Sequence, residues 1–354
     1  MGSIILFIFT FGSLTFFIVF ILDFFIASSG YKGKVTDHFD GKGFYNITGG
    51  EKIRETIQRK GLFFVLIWLL FRPKKVWQYK KNNLLCVPER RVNNKRIFVT
   101  FVNHSTVLIQ TDGLNILLDP VWSKRASPFT FLGPKRFRDP GIKFEDLPRI
   151  DIVLISHNHY DHMDIKTLRE IYRKYRPRIY VPLGNSKYLA RKGILGARDM
   201  DWWDKEAITP EINLVSVPAQ HFSGRAFSDR NRTLWCGYVL ETSRGNIYMA
   251  GDTAYGKFVD KIKEKYSEFI LGFIPIGVWK PVWLMKSVHI SPDDAFQMHK
   301  ELNINTSIGV HHGTFKLSDD GQDEGKDRIK QLVKEDSPKI VDFRVLENGQ
   351  TVMI

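Results

Sequence analysis

The sequence predicts an α/β domain behind an N-terminal transmembrane anchor. Three observations support that expectation: Ile4 to Ala27 is almost wholly apolar, short β-rich runs open the region after Arg96, and from Asp151 apolar strand candidates alternate with helical stretches. Antiparallel strands followed by strand–helix alternation is the pattern of a layered sheet with helices on its faces. A chain of 354 residues can bury one large core with appendages, and 43% hydrophobic against 25% charged residues is an ordinary globular balance. That balance excludes disordered and low-complexity classes.

Taken in chain order, Ile4 to Ala27 rises about 1.5 Å per residue as a helix, long enough to cross a hydrocarbon core, and its only charge is Asp23. A cleaved signal peptide is the alternative. No Lys or Arg precedes the apolar run, however, and Ile26-Ala27-Ser28-Ser29 is a poor cleavage site, so residues 1–30 are expected to form the anchor. Residues 31–95 then read as a basic membrane-proximal segment. Of the net charge of +14, the first 96 residues hold +10, from 16 Lys plus Arg against 6 Asp plus Glu. Placed beside an apolar anchor, that charge is expected to meet an anionic membrane surface, with a solvated linker as the alternative. By the positive-inside rule the catalytic domain is expected on the cytoplasmic side. Little net charge is left after Arg96, so no nucleic-acid partner is expected. Leu62 to Phe71 is too short to span, and suits either an interfacial segment or a buried helix. Cys86 and Cys236 match no metal spacing and leave a disulfide open, although such low cysteine usage fits a reducing compartment.

Residues 96–354 form the expected catalytic domain. Strands are predicted over Arg96 to Val102, Thr106 to Gln110 and Asn115 to Leu118, joined by turns at Asn103-His104-Ser105 and Asp112-Gly113. Further strands are expected over Asp151 to Ser156, Arg178 to Val181, Leu214 to Val217, Asn246 to Ala250, Phe269 to Ile274, Ser307 to Val310 and Ile340 to Val345. Helices are expected over Ile165 to Tyr175, Asp293 to Leu302 and Asp323 to Lys334. The second of these starts with Ser291 as N-cap, Pro292 in the first position and Asp294 three residues after the cap.

The chemistry concentrates where Ile152-Val153-Leu154-Ile155 stops. There His157-Asn158-His159-Tyr160-Asp161-His162 crowds three imidazoles and a carboxylate into one turn. Imidazole and carboxylate are the usual ligands of zinc and similar ions, and ligands one or two loop residues apart can converge on one small volume. His221, Asp252 and His311 recur downstream, each just after an apolar strand candidate. Ligands delivered from several strand ends suit a site on one rim of a layered fold.

Ser156 to Asp164 (SHNHYDHMD), Pro218 to His221 (PAQH), Ala250 to Thr253 (AGDT) and His311 to Phe315 (HHGTF) resemble the metallo-β-lactamase superfamily. Within it they most resemble the branch containing N-acyl-phosphatidylethanolamine-hydrolysing phospholipase D. Leu117 to Trp122 (LLDPVW), Asn103 to Gln110 (NHSTVLIQ) and Asp37 to Asn46 (DHFDGKGFYN) add to the likeness, which runs from about Asp37 to the C-terminus. The resemblance implies a four-layer αββα sandwich with two divalent metal ions between facing sheets. By motif position it implies that His157, His159 and His221 hold one ion, that Asp161, His162 and His311 hold the other, and that Asp252 bridges them. His311 is preferred to the adjacent His312 because it aligns with the histidine before x-Gly-Thr-Phe, and His312 stands where the branch has Trp. The resemblance also places His289 beside the ions, where it could orient substrate or assist the leaving group; a structural hydrogen bond is the alternative. His104 reads as a turn residue or a support to the ligands, and Asp164 as a partner that orients a ligand. His38 and His299 are given no role.

Two cations a few ångströms apart would lower the pKa of a shared water and neutralise the oxygens of a phosphodiester, with zinc the default for this ligand set. The ligands make the expected function a metal-dependent hydrolase, and the resemblance to that branch, with the anchor and the basic segment, implies a membrane-anchored dinuclear-metal hydrolase of phospholipase D type, with Asp161 and His289 at the reacting centre and an N-acyl-phosphatidylethanolamine-like phospholipid as substrate. Residues Val278, Trp279, Val282, Trp283, Leu284 and Met285 could border acyl chains or simply pack. A metal-dependent lactonase and a non-catalytic membrane-tethered binding protein are the alternatives.

Overall fold

The computed structural model describes residues 21, 23–47, 70–72, 75–93, 96–338 and 341–354. Two seven-stranded sheets face one another. The first is assembled from β1 (Ile97–Asn103), β2 (Thr106–Thr111), β3 (Leu114–Leu118), β4 (Ile152–Leu154), β5 (Arg178–Pro182) and β6 (Arg198–Met200). The second runs through β7 (Lys205–Thr209), β8 (Ile212–Val217), β9 (Gly237–Thr242), β10 (Gly245–Met249), β11 (Phe269–Pro275), β12 (Ile304–Val310) and β13 (Asp342–Arg344). A last strand, β14 (Thr351–Met353), returns to the first sheet and pairs antiparallel with β1. The two sheets are built alike: β1 to β3 and β7 to β10 are antiparallel, whereas β3 to β6 and β10 to β13 are parallel.

Side-chain alternation along the strands makes the layers. Phe101, Ile109, Leu118, Leu154 and Tyr180 point inward and meet Leu214, Leu240, Met249, Phe273 and Ile308 of the second sheet in one central core. The outward side chains Val153 and Val181 are covered by Leu168 and Ile171 of α1 (Ile165–Tyr175) and Leu189 of α2 (Asn185–Arg191). On the opposite face Tyr248 and Ile274 pack on Ile262 of α3 (Phe258–Lys265), Phe296 and Met298 of α5 (Pro292–Glu301), and Ile329 of α6 (Glu324–Glu335). A short helix, α4 (Val282–Met285), lies between α3 and α5. Central parallel strands are buried on both faces, which is why β4 reads as an unbroken apolar run.

Local signals act where they were expected. Asp112 and Gly113 both take positive φ, the requirement of a two-residue hairpin turn of the primed type. Ser291 accepts the Asp294 N–H at 3.1 Å and caps α5. Strands β6, β7, β9 and β14 and helices α2, α3 and α4 were not anticipated. Three of these strands are short or polar segments that become strands only through their partners, and β9 opens on Gly237, which weakens its strand signal.

The expected single-pass anchor, and the cytoplasmic placement argued from it, are overturned: among the described residues no helix is long and apolar enough to cross a membrane. Residues 1–20 and 22 of the expected span, and 62–69 of the second apolar stretch, lie outside the described residues. The end of the expected span instead docks on the domain. Asp23 accepts the Phe227 N–H at 2.6 Å and the Ser228 N–H at 3.2 Å, and the Ala27 carbonyl accepts from Arg191 at 2.8 Å. Cys86 and Cys236 are both free.

Candidate metal centre

The loop after β4 is shaped by one carboxylate. Asp119, at the end of β3, accepts the Ser156 N–H and the Ser156 hydroxyl, each at 2.7 Å, and lies 2.8 Å from His162 Nδ1. Ser156 Oγ in turn sits 2.9 Å from His157 Nδ1. With the Nδ1 atoms of both rings occupied, their Nε2 atoms turn toward the interior. The His159 carbonyl accepts the N–H groups of His162 and Met163, which tightens the turn and brings Asp161 to the same side. Outside the loop, the Arg225 guanidinium lies over the Tyr160 ring and donates to the Asn158 and Met163 carbonyls.

The second sheet supplies its residues singly. His221 follows β8, and its Nδ1 donates to the Val288 carbonyl at 2.7 Å, leaving Nε2 free. Asp252 follows β10. His311 follows β12 with φ of 60°, and its N–H donates to the His104 carbonyl at 2.7 Å. His104 Nε2 lies 2.9 Å from Asp161 Oδ2 and fixes that carboxylate. His104, Asp119 and His311 all occupy the left-handed region without being glycine. Such residues cost about 1–3 kcal/mol each and cluster at functional sites.

Six strands and loops thus converge. Asp252 Oδ2 lies 3.0 Å from His311 Nε2, 3.2 Å from His162 Nε2, 3.8 Å from His221 Nε2, and 3.9 Å from both His157 Nε2 and His289 Nδ1. His159 Nδ1 is 2.7 Å from His157 Nε2 and 3.3 Å from His221 Nε2. Asp161 Oδ2 is 3.3 Å from His311 Nε2 and 3.5 Å from His162 Nε2. Four overlapping donor groups result: His157 with His159 and His221, and Asp161 with His162, His311 and His104, make two sets, and Asp252 spans them in the groups it forms with His157 and His162 and with His221 and His289.

The residues fit divalent cations. His162 Nε2, Asp252 Oδ1 and His289 Nδ1 are buried without a hydrogen-bond partner, the condition that a cation relieves. The charges agree. Burial drives His157 and His221 well below the ordinary imidazole value and His159 to about 3, so the ligating neutral form prevails. Burial alone would raise Asp161 and Asp252, but the facing imidazoles, His162 foremost, hold both well below the carboxylate range. His162 and His311 move the other way. Burial opposes their protonation, yet Asp252 and Asp161 lift His162 well above its usual value and His311 to about 9. Two buried carboxylates thus demand positive charge at this point, and metal cations can supply it in place of protons.

Every residue expected at the site is brought into this cluster: His157, His159, Asp161, His162, His221, Asp252, His289 and His311. Of the two adjacent imidazoles, His311 joins the cluster, whereas the His312 ring stacks on Phe101 at 5.3 Å. Asp164 orients no ligand. Its carboxylate accepts the N–H groups of Lys166 and Thr167 as the N-cap of α1 and the N–H of Ser123. The orienting carboxylate is Asp119, missed as a site residue although it stands inside the quoted LLDPVW run. Asn46 was missed too: its carboxamide grips the backbone of His221. Its signal was the DHFDGKGFYN run that ends on it.

Comparison with known proteins gives the same picture. A model of the beta-lactamase superfamily domain matches residues 114–312. The chain is 38% identical over 250 residues to N-acyl-phosphatidylethanolamine-hydrolyzing phospholipase D 1 of Caenorhabditis elegans, covering 67% of this chain and 70% of that protein. It is 34% identical over 256 residues to the mitochondrial N-acyl-phosphatidylethanolamine-hydrolyzing phospholipase D of Saccharomyces cerevisiae, covering 70% of this chain and 54% of that one. Among solved structures, a metallo hydrolase from the archaeon Ignicoccus hospitalis superposes with a TM-score of 0.55 at 21% identity, over 73% of this chain and 98% of that one.

Proposed function

Since the chain belongs to the metallo-β-lactamase superfamily, we propose that it is a dinuclear-metal phosphodiesterase of phospholipase D type, acting on N-acyl-phosphatidylethanolamine-like phospholipids. The position of Asp252 carries the two-ion part of this reading. Its Oδ2 lies within 3.9 Å of nitrogens from both donor sets, and its Oδ1 has no partner, so one carboxylate can serve two ions. Zinc is the expected ion for a set of imidazoles and carboxylates, with iron and manganese also compatible. When bound, such ions lower the pKa of water and offset the charge that develops on a phosphoryl group.

The protein's own residues arrange the rest. Asp161, held by His104, and Asp252 fix the floor of the site, while Asp119 keeps two ligand rings from turning. His289 Nδ1, buried and unpartnered beside Asp252, is placed to hold a phosphoryl oxygen by a hydrogen bond. The lipid part of the reading rests on the two relatives and on a neighbouring cavity of about 470 Å³. Trp122, Phe129, Phe144 and Tyr160 give that cavity apolar walls, and Lys124 and Arg225 give it cationic ones. That mixture suits an anionic amphiphile.

The test is to assay the zinc-loaded chain on vesicles of N-acyl-phosphatidylethanolamine and, separately, on lactones. Release of phosphatidic acid from the vesicles is expected. Turnover of lactones with none of the phospholipid would reject the lipid assignment and leave the hydrolase.

A further inference from the structure

Residues 31–47 form a strap on the domain, bonded to it through the Tyr31 N–H and the Arg232 carbonyl. Phe39 and Phe44 are buried in the central core, and the Phe44 N–H donates to the Asn231 carbonyl at 2.7 Å. His38 clips the strap in place. Its ring stacks on Trp202 at 4.4 Å, with Nε2 2.7 Å from Asp201 and Nδ1 2.6 Å from Asp37.

At the end of this strap Asn46 does for His221 what a neighbouring strand does for a strand residue. Its Nδ2 donates to the His221 carbonyl at 3.0 Å, and its Oδ1 accepts the His221 N–H at 3.1 Å. The same Oδ1 accepts the Trp235 indole N–H at 3.0 Å. Indole and backbone N–H groups can only donate, so they fix which end of the carboxamide faces them. Both backbone groups of His221 are thereby held by one side chain, and its ring is held by the Val288 carbonyl. Few degrees of freedom are left to Nε2.

We infer that Asn46 is a positioning residue for His221, and that docking of the strap sets how firmly the His157, His159 and His221 donor set retains its ion. The inference rests on the two-set reading of the centre given above. Among the described residues Asn46 makes no hydrogen bond to Asp161, His162, His311 or His104, and its bonds to the centre all run to the backbone of His221. Loss of such a support typically costs 10- to 100-fold in metal affinity. The effect should therefore fall on one ion and spare the other.

The test is zinc release from the zinc-loaded full chain to a chromophoric chelator, followed in time. The wild type should show two phases, and N46A should speed one of them about tenfold or more while leaving the other unchanged. H38Q, which frees the clip without touching a ligand, should speed the same phase by less. Unchanged release in N46A, or equal acceleration of both phases, overturns the inference. If the wild type releases only one ion, the two-ion reading fails by itself; the strap inference then stands if N46A speeds that single release and falls if it does not. Should N46A not fold, H38Q decides alone, acceleration of one phase supporting the inference and an unchanged rate overturning it.

Discussion

The two sheets furnish the centre in different ways. The first sheet gives a single loop in which His157, His159, Asp161 and His162 lie within six residues, braced by Asp119 from the adjacent strand end. The second sheet gives His221, Asp252 and His311 one at a time, with His221 held by Val288 and Asn46 and His311 by His104, all distant in the chain. The loop half thus draws its ligands from one short run, and the dispersed half gathers single residues from strand ends far apart in the chain. Damage to the loop half should act through its brace, and damage to the dispersed half through long-range docking.

The sharpest way to break this comparison is at the residue that both halves share. D252N removes the charge from the oxygen that both donor sets face, and should lower turnover about 10³-fold or more, with metal content falling below two ions per chain. Retention of both ions with near-normal turnover would show that the halves do not meet at Asp252. Next in size, D119A leaves Ser156 and His162 without their acceptor, and metal affinity measured by chelator competition should fall about 10- to 100-fold. An unaltered affinity would mean that the loop organises itself without its brace.

A smaller effect is expected from the strap in its response to pH. Burial opposes protonation of His38, but its hydrogen bonds to Asp201 and Asp37 prevail and raise its pKa above 6.5. The Trp202 and Phe44 rings pack on it as neutral neighbours. A raised folded-state pKa stabilises the fold fully below the unfolded value and loses that contribution as pH rises through the folded value. The urea midpoints of wild type and H38Q should therefore differ most below the unfolded value of about 6.5 and converge as pH rises through the raised folded-state value. A gap that widens with rising pH would contradict the assignment. The smallest effect belongs to D164A, which removes a helix cap worth about 1 kcal/mol of stability and should leave metal content unchanged. A loss of metal there would restore Asp164 as a support of the ligands.

The same contrast explains what could be read from the sequence. The loop half was legible because its residues are consecutive, and the hairpin turn at Asp112-Gly113 and the cap at Ser291 were legible because their geometry is local. His221, Asp252 and His311 could be located only as histidines or acids after apolar runs, and their grouping needed the family pattern. Asp119 and Asn46 stood inside quoted family runs, but their roles could not be read there, since what each does is defined by groups far along the chain. The apolar N-terminal run misled because hydropathy registers length and greasiness, whereas the hydrogen bonds of Asp23 and Ala27 to the domain are tertiary.

Strand β14 has a consequence for how the protein is made. It pairs with the edge of β1, the first strand among the described residues, so β1 lacks that partner until residues 351–353 leave the ribosome. Throughout synthesis the apolar run Ile97–Asn103 offers a free strand edge, the kind of surface that recruits other chains. Among the described strands, the one earliest in the chain is thus covered at this edge by the one latest in it.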